Sequence, residues 1–337
     1  MLNIEQNVRE IRGIGPGDLS EEILLSKEPL LLRGMVGDWP LVKAAKKSAK
    51  DADNYLRQFN RDETVGAFFG EPNAQGRVYY NEDLSGFNYQ PVIVKLDEVL
   101  DKLQQHLDDQ QAPAFYVGST PVDKCLPGFR DENDIEFGDI DPLASIWIGN
   151  RTRIAAHFDV PDNIACCAAG RRRFILFPPA EIENLYVGPL DFNPGGQSIS
   201  MVDFSQPDYE KHPKFRDALH NARVAELEAG DAIFIPSMWW HHVEGLDGFN
   251  VLINYWWRQS PPFMDSPANV LEHALLSLRD LPKEQREAWH EIFKFYIFDY
   301  DVESVEHIPE GRRGVLAPID DGMARRLRAK LLKKLNR

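Results

Sequence analysis

Residues 143–169 read LASIWIGNRTRIAAHFDVPDNIACCAA, and the fold class follows from the pattern of this segment. It holds two apolar runs, 143–149 and 164–169, separated by residues that favour turns. Apolar runs of about four to eight residues, bounded by Gly, Pro, Asn or Asp, are typical of β-strands. His157-Phe158-Asp159 lies between these runs and is therefore predicted to belong to a sheet.

The spacing of His157 and Asp159 suits a metal site. Side chains two residues apart on a strand share a face and lie about 6–7 Å apart, so one ion can contact both. A second histidine segment follows a predicted buried strand and reads Ile235-Pro236-Ser237-Met238-Trp239-Trp240-His241-His242. One histidine from it completes the two-histidine, one-carboxylate set that binds non-haem Fe(II) and leaves coordination positions open.

The residues alone leave the third ligand undecided. Only one of two adjacent strand residues faces inward, and the alternation does not choose between His241 and His242. His242 and Glu244 also form a second His-x-acid pair. A third pair, His106 and Asp108, is predicted to lie on the helix indicated by the periodicity from Leu96 onward. Residues two apart diverge on a helix, so this pair is predicted to belong to a solvated surface.

Length and composition indicate a globular protein. The chain has 337 residues, of which 43% are hydrophobic, enough for a large core. No run approaches the roughly 20 apolar residues of a membrane span, and the N-terminal residues lack a signal-peptide pattern, so we expect a cytoplasmic protein without membrane contact. Adjacent Cys166 and Cys167 are predicted to be reduced core residues on opposite faces of a strand.

The charge disfavours nucleic acid as a partner. A formal net charge of −15 is unsuited to neutralising phosphates. The one basic segment, 325–335, has leucines at helical spacing. We expect a terminal helix packed on its own protein, with docking of acidic proteins as the alternative.

Three regions are predicted along the chain. Residues 1–110 mix short helices and strands, including a strand at 29–34 and a helix opened by Trp39-Pro40. Residues 111–260 show the short, turn-bounded strands of an antiparallel β-sandwich or barrel that bears the metal. Residues 261–337 form helices, one starting at Ser266-Pro267 and another after Leu281-Pro282. The fold class is thus mainly β with flanking helices.

The second C-terminal helix carries more apolar side chains than one helix face can bury against a single domain. Either its neighbours cover the excess or a partner does, and we expect a homodimer through these helices. The apolar side chains are Trp289, Ile292, Phe293, Phe295, Tyr296, Ile297 and Phe298.

Several motifs in this order resemble the JmjC-type, cupin-fold 2-oxoglutarate oxygenases, and within them the asparaginyl hydroxylases. The resemblance is specific over residues 111–258 and weak before them. It implies a double-stranded β-helix (cupin, or jelly-roll) core with a C-terminal helical pair. The motifs are His157-Phe158-Asp159, Asn163, Ile175-Leu176-Phe177-Pro178-Pro179, Val202-Asp203-Phe204, Pro207-Asp208-Tyr209-Glu210, Gly230-Asp231, Ile235-Pro236, Trp239-Trp240-His241-His242 and Asn254-Tyr255-Trp256.

The resemblance implies a reaction and a ligand set. Fe(II) held by His157, Asp159 and His241 would couple decarboxylation of 2-oxoglutarate by O2, giving succinate and carbon dioxide, to hydroxylation of a C–H bond. Tyr116, Asn163, Arg172 and Asn254 would line the 2-oxoglutarate pocket. The competing interpretation of each Tyr or Asn is a satisfied polar group in the core.

This chain departs from the family pattern at two residues near the expected 2-oxoglutarate site. Arg172 stands where a lysine commonly pairs with the distal carboxylate of 2-oxoglutarate, and Ile154 replaces a hydroxyl residue that assists that lysine. Arginine binds carboxylates in bidentate fashion, although the run 171–173 could instead decorate a solvated strand.

On the substrate side, Gln197, Trp240 and Trp256 are the candidate residues. The acceptor is left as a protein side chain or a small molecule. Two alternatives to this hydroxylase stay open: a metal-binding cupin that acts as an isomerase or ligand-binding protein, and an RNA-modifying hydroxylase.

Overall fold

Fifteen strands in two sheets carry the chain from residue 6 to residue 257 in the computed structural model, which describes residues 2–336. The sheet orders are β1-β12-β11-β14-β9-β5 and β2-β3-β13-β10-β15-β8-β7-β4-β6. The predicted mainly β fold with flanking helices is confirmed. The strands are β1 (Gln6–Asn7), β2 (Arg9–Arg12), β3 (Leu30–Arg33), β4 (Thr64–Gly70), β5 (Arg77–Val78), β6 (Tyr89–Lys95), β7 (Ala114–Pro121), β8 (Leu143–Gly149), β9 (Arg153–His157), β10 (Asp162–Ala169), β11 (Arg172–Phe177), β12 (Arg223–Leu227), β13 (Ala232–Ile235), β14 (Trp240–Gly245) and β15 (Asn250–Trp257).

The two sheets pack face to face over an apolar layer, as in a jelly roll. Ala165 and Cys167 of β10 share this layer with Phe174 and Leu176 of β11 from the other sheet. The opposite face of β10, including Cys166, is buried in the larger core beneath the helices. Because both faces are covered, all eight residues of β10 are buried, which explains the apolar run at 164–169. The cysteines are free thiols on opposite faces, as expected.

Helices flank the sheets and follow them. Ser48 caps α3 by accepting a hydrogen bond from the Asp51 amide at 3.0 Å. The helix α4 ends at Gln105, so the pair His106 and Asp108, which was predicted to lie on this helix, lies in the turn after it. The helices are α1 (Glu21–Leu24), α2 (Pro40–Ala45), α3 (Ala49–Phe59), α4 (Leu96–Gln105), α5 (Val122–Cys125), α6 (Phe215–Asn221), α7 (Pro267–Ser277), α8 (Lys283–Phe293) with a π-helical continuation (Lys294–Phe298), and α9 (Asp321–Leu335), with 3₁₀ turns at Pro72–Ala74, Phe129–Asp131, Pro179–Glu183, Val302–Val305, Glu310–Arg312 and Gly314–Leu316.

The chain divides into two compact units, with the boundary between residues 258 and 259. The sequence analysis placed boundaries at 110 and 260. The strands before residue 110 do not form a region of their own, because β2, β3, β4 and β6 extend the nine-stranded sheet while β1 and β5 flank the six-stranded sheet. These added strands pair with the edges of the two sheets, where backbone N–H and C=O groups would otherwise be left without partners.

The second unit contains α7, α8 and α9. Ser266 caps α7 by accepting a hydrogen bond from the Ala268 amide at 3.3 Å, at the predicted start. The expectation that the basic terminal helix packs on its own protein is wrong for its second half, because Leu331, Leu332 and Leu335 of α9 are exposed. Among residues 2–336, every helix is too short or too polar to cross a lipid bilayer.

Candidate metal centre

Sheet pairing brings the two histidines together. The strands β9 and β14 are antiparallel neighbours in which His157 lies directly opposite His241, with their ring centroids 4.4 Å apart. Asp159 follows the end of β9, and its carboxylate Oδ2 lies 3.7 Å from Nε2 of His241. The three residues offer donor atoms that all lie within 4.8 Å of one another. One divalent ion can therefore contact all three.

Backbone carbonyls fix the tautomers of both imidazoles. Nδ1 of His157 lies 2.9 Å from the carbonyl oxygen of Ala155, and Nδ1 of His241 lies 3.0 Å from that of Trp239. A carbonyl oxygen only accepts, so each Nδ1 donates and each Nε2 keeps its lone pair for a metal. Burial, reinforced by the neighbouring His157 imidazole, lowers the pKa of His241 to about 4. Two neutral imidazoles and one carboxylate are the donor set that suits Fe(II) in oxygenases.

Two neutral donors hold the Asp159 carboxylate. Nε2 of Gln197 donates to Oδ1 at 3.0 Å, and the indole Nε1 of Trp256 donates to Oδ2 at 3.1 Å. Sequence reasoning assigned both residues to the substrate side and missed these hydrogen bonds. The contacts join positions 38 and 97 residues from Asp159, so no local signal in the sequence indicates them.

His242 points to the opposite face of β14. Its ring stacks on Phe204 with centroids 4.5 Å apart, and its Nε2 lies 3.2 Å from Glu244 Oε1. Arg173 donates to the other oxygen of Glu244 at 3.1 Å. Within the described part of the chain, His242 and Glu244 gather no third donor and thus form no second metal site. His106 is likewise apart, 3.3 Å from Asp109.

The three donors lie at one end of a cavity of about 300 Å³ between the sheets. Trp147 on β8 also lines the cavity. It was not named as a candidate from the sequence, although the alternation of side chains along β8 could have indicated that it faces inward. Every predicted 2-oxoglutarate residue lines this cavity, as do two of the three predicted substrate residues: Tyr116, Asn163, Arg172, Asn254, Gln197 and Trp256.

Trp240, the third predicted substrate residue, does not line the cavity. It is buried among apolar residues on the face of β14 opposite His241, and its ring packs edge-on against Phe158 at 4.9 Å. Trp239 is also directed away, with its Nε1 donating to the Lys27 carbonyl at 3.1 Å. The predicted place of Trp240 in the substrate pocket is therefore wrong, and the tryptophans that line the cavity are Trp147 and Trp256, which meet edge-to-face at 5.9 Å.

Three consecutive arginines have different environments at the far end of the cavity. Arg171 pairs with Asp247 at 2.8 Å, and Arg173 pairs with Glu226 at 2.7 Å. Arg172 between them is buried, and among residues 2–336 it forms no ion pair and its Nε has no hydrogen-bond partner. Burial lowers the pKa of this guanidinium. The interpretation of a solvated arginine strand thus holds for its neighbours and fails for Arg172.

Two asparagines lie between these ends. Nδ2 of Asn254 donates to Oδ1 of Asn163 at 3.0 Å across β15 and β10. Oδ1 of Asn254 is buried and has no partner within the described chain. Tyr116 stacks on Trp147 at 5.8 Å, and burial raises the pKa of its phenol, which stays a neutral donor at physiological pH. The middle of the cavity therefore offers an unused acceptor and a phenolic donor.

Comparison with known proteins supports this assignment. A family model described as a Cupin-like domain matches residues 16–263. The tRNA wybutosine-synthesizing protein 5 of Gallus gallus is 34% identical over 146 residues, covering 39% of this chain and 43% of the relative. Lysine-specific demethylase 8 of Xenopus tropicalis is 25% identical over 243 residues, covering 70% of this chain and 49% of the relative. The Jumonji C domain-containing protein 5 of Drosophila melanogaster is 28% identical over 244 residues, covering 68% and 55%. The chain thus spans about half the length of these curated relatives.

Proposed function

This chain belongs to the cupin-like family, in the branch of the JmjC-type 2-oxoglutarate oxygenases, and on that premise we propose that it is an Fe(II)- and 2-oxoglutarate-dependent hydroxylase. The reaction consumes 2-oxoglutarate and oxygen, releases succinate and carbon dioxide, and adds a hydroxyl group to a C–H bond of a protein side chain or small molecule. The observation that carries the proposal is that Arg172 is buried in the cavity that also holds the three metal ligands and forms no ion pair with any of residues 2–336.

The metal end of the cavity is preorganised. His157 and His241 present their Nε2 atoms, because each Nδ1 lies against a backbone carbonyl, and the Asp159 carboxylate offsets part of the charge of a divalent cation. When bound, Fe(II) supplies open positions at which 2-oxoglutarate and oxygen react. The protein orients the ligands and excludes water, since apolar side chains such as Phe174 and Leu252 line the remaining wall.

The opposite end suits the distal carboxylate of 2-oxoglutarate. The guanidinium of Arg172 can donate two parallel hydrogen bonds to a carboxylate, and the Tyr116 hydroxyl can donate a further one. A buried cation without a counter-ion costs stability, and a ligand carboxylate removes that cost. Asn163 and Asn254 provide polar contacts along the co-substrate.

The acceptor is proposed to enter beside Gln197 and Trp256. The Gln197 Nε2 is occupied by Asp159, whereas its Oε1 is buried and has no partner among the described residues. That oxygen can accept one hydrogen bond, so it favours an acceptor with an N–H or O–H near the oxidised carbon. The Gln197 oxygen therefore indicates a hydrogen-bond donor on the substrate, and it does not identify asparagine as the hydroxylated residue.

The test is succinate formation from 2-oxoglutarate by iron-loaded protein. Asp159→Ala removes the one anionic ligand, so we expect turnover below detection. Asp108→Ala, in the surface His-x-Asp pair that follows α4, is the matched control and should keep full activity. Iron-dependent succinate production that persists unchanged in Asp159→Ala would refute the proposal.

A metal-binding cupin without oxygenase activity is the first competing function. Three donors alone do not select iron over zinc, manganese or nickel. Arg172 favours the oxygenase, because an isomerase site has no general need for a second, carboxylate-binding end. Metal analysis of the purified protein, together with a 2-oxoglutarate consumption assay, distinguishes the two.

An RNA-modifying hydroxylase is the second competing function, and one relative is named for tRNA wybutosine synthesis. We propose that RNA is not the acceptor. Phe192 stacks on Phe87 at 4.8 Å and Tyr89 donates to the Pro194 carbonyl at 3.0 Å, so residues 81–94 lie against residues 188–197, part of which lines the cavity. These segments contain three acidic residues and no lysine or arginine. Tight binding of transfer RNA in a mobility-shift assay at moderate salt would contradict this.

We also propose a homodimer through the C-terminal helices. The apolar side chains of α8 and its π-helical continuation are exposed in the single chain, up to 73% for Phe298. An apolar surface of this kind favours association. Light scattering should give twice the 38.5 kDa chain mass for the wild type and the chain mass for Ile297→Asp. Ile93→Asp, at an even more exposed isoleucine on β6, should remain dimeric.

A further inference from the structure

The three candidate ligands are not held in the same way. His157 and His241 lie on paired strands, and each is oriented by a carbonyl of its own strand or of the turn before it. Asp159 lies beyond the end of β9, in an irregular segment. Its backbone is held, because its carbonyl accepts the Met238 amide at 2.9 Å, but the sheet does not set its side-chain torsions. Something else must orient the carboxylate.

The indole of Trp256 is placed to do so. Its N–H donates to Oδ2, the carboxylate oxygen that lies 3.7 Å from the His241 Nε2. Trp256 belongs to β15, paired on both sides by β10 and β8, and its ring meets Trp147 edge-on. Gln197 holds the other oxygen from a loop that follows Gly195 and Gly196, where Gly196 has φ +86°. Trp256 is the more rigid of the two donors.

The chemistry of these donors also matters. An arginine or lysine beside Asp159 would orient the carboxylate and offset its charge. Indole and amide N–H groups are neutral, so they restrict rotation and leave the full negative charge for a cation. Among the described residues, Asp159 forms an ion pair with no lysine or arginine.

We propose that Trp256 is a positioning residue for the metal: its N–H sets the rotamer in which Oδ2 of Asp159 faces the two imidazoles, and Gln197 supports that rotamer at Oδ1. The inference concerns metal affinity and therefore goes beyond the proposed reaction. It holds whichever acceptor the protein uses, and also if the protein is a cupin without oxygenase activity.

The decisive variant is Trp256→Phe, which keeps an aromatic ring and removes the N–H. Loss of a hydrogen-bond partner of a metal ligand typically costs about 10- to 100-fold in metal affinity. We expect a loss in this range for Mn(II), titrated under anaerobic conditions and followed by calorimetry. The melting temperature of the metal-free protein should change little, because the phenyl ring still packs against Trp147.

Trp147→Phe is the matched control. Trp147 lines the same cavity, and its indole N–H is buried without a hydrogen-bond partner within residues 2–336. Its replacement removes an indole next to Trp256 without removing a hydrogen bond, and Mn(II) affinity should stay within about twofold. Equal loss of affinity in both variants would indicate a general packing effect and would overturn the proposal.

Gln197→Leu provides a second, independent measurement. It removes the donor to Oδ1 from a loop, where substitution is least damaging to the fold. We expect a smaller loss of affinity than in Trp256→Phe, and a combined loss in the double variant. Wild-type Mn(II) affinity in Trp256→Phe, or in the double variant, would overturn the inference. Failure of the proposed hydroxylase is recognised separately, by absence of succinate from the wild-type protein.

Discussion

The two ends of the cavity differ in how completely the protein pairs their polar side chains. At the metal end each polar ligand is already hydrogen-bonded by the protein: His157 and His241 by carbonyls, and Asp159 by an amide and an indole. At the far end Arg172 is buried with no counter-ion in the described chain. The first end is complete except for a cation, and the second is complete except for an anion. A divalent cation at the first end, together with one small molecule whose two carboxylates reach that cation and Arg172, would satisfy both.

The largest expected effect tests the metal end by comparing variants of two neighbouring residues, His241 and His242. His241→Ala should abolish metal binding, and with it the stabilisation by metal, which is about 2.7 kcal/mol at a concentration 100 times the Kd. His242→Ala should keep that stabilisation, because His242 contacts Phe204 and Glu244 on the other face of β14. Thermal unfolding with and without Mn(II) measures both. A metal-induced shift in His241→Ala equal to that of the wild type would contradict the assignment.

The next effect tests the opposite end. Arg172→Met should weaken 2-oxoglutarate binding about 30-fold or more, since truncating one partner of a buried charge pair costs about 2–5 kcal/mol. The same change should leave the unfolding free energy of the ligand-free protein equal or higher, because an unpaired buried charge is removed. Binding in the presence of Mn(II) and thermal unfolding measure the two quantities.

Arg171→Met is the control for that variant. Arg171 is an exposed arginine paired with Asp247, a kind of ion pair that contributes about 0–1 kcal/mol. Its loss should leave 2-oxoglutarate binding unchanged and stability slightly lower or equal. If Arg172→Met instead destabilised the protein strongly and retained co-substrate affinity, Arg172 would be structural, and the contrast between the two ends would disappear.

The sequence predicts these two ends unequally. The His157-Asp159 spacing and the second histidine segment are local patterns, and both places were identified. The choice between His241 and His242 was open, because alternation places adjacent strand residues on opposite faces without indicating which face is inward. Alternation did hold information that was not used. Once His241 faces inward, its neighbour Trp240 must face outward, as it does.

Contacts between segments that are distant along the chain could not be predicted from the sequence. The hydrogen bonds of Gln197 and Trp256 to Asp159 depend on where a loop and a strand end meet after folding. The isolation of Arg172 between two paired arginines depends on which carboxylates reach the neighbouring strands. Likewise, the attachment of the strands before residue 110 to the two sheets depends on strand partners far along the chain.

A conservative change at the far end should have an intermediate effect. Arg172→Lys keeps the charge but replaces a planar, five-donor group by a point charge on a shorter side chain. The bidentate geometry is lost, so we expect 2-oxoglutarate to bind about tenfold more weakly, corresponding to about 1.4 kcal/mol. Binding equal to that of the wild type would mean that only charge matters at this position.

The smallest expected effect asks whether Ile154 is matched to Arg172. The strand register aligns Phe174 of β11, Val243 of β14 and Ile154 of β9 in one row facing the cavity, two positions along β11 from Arg172. A hydroxyl introduced there by Ile154→Thr could hydrogen-bond a lysine ammonium or the ligand carboxylate, which contributes about 0.5–1.5 kcal/mol. In the Arg172→Lys background, Ile154→Thr should therefore recover about three- to tenfold in 2-oxoglutarate affinity.

In the wild-type background the same substitution should give no gain. The arginine already presents enough donors for the carboxylate, and the hydroxyl would replace apolar contact surface of Ile154. The affinity of the double variant must then exceed the value expected from the two single changes, which a double-mutant cycle measures directly. Additive effects would show that positions 154 and 172 act independently and that the apolar residue is not an adaptation to the arginine.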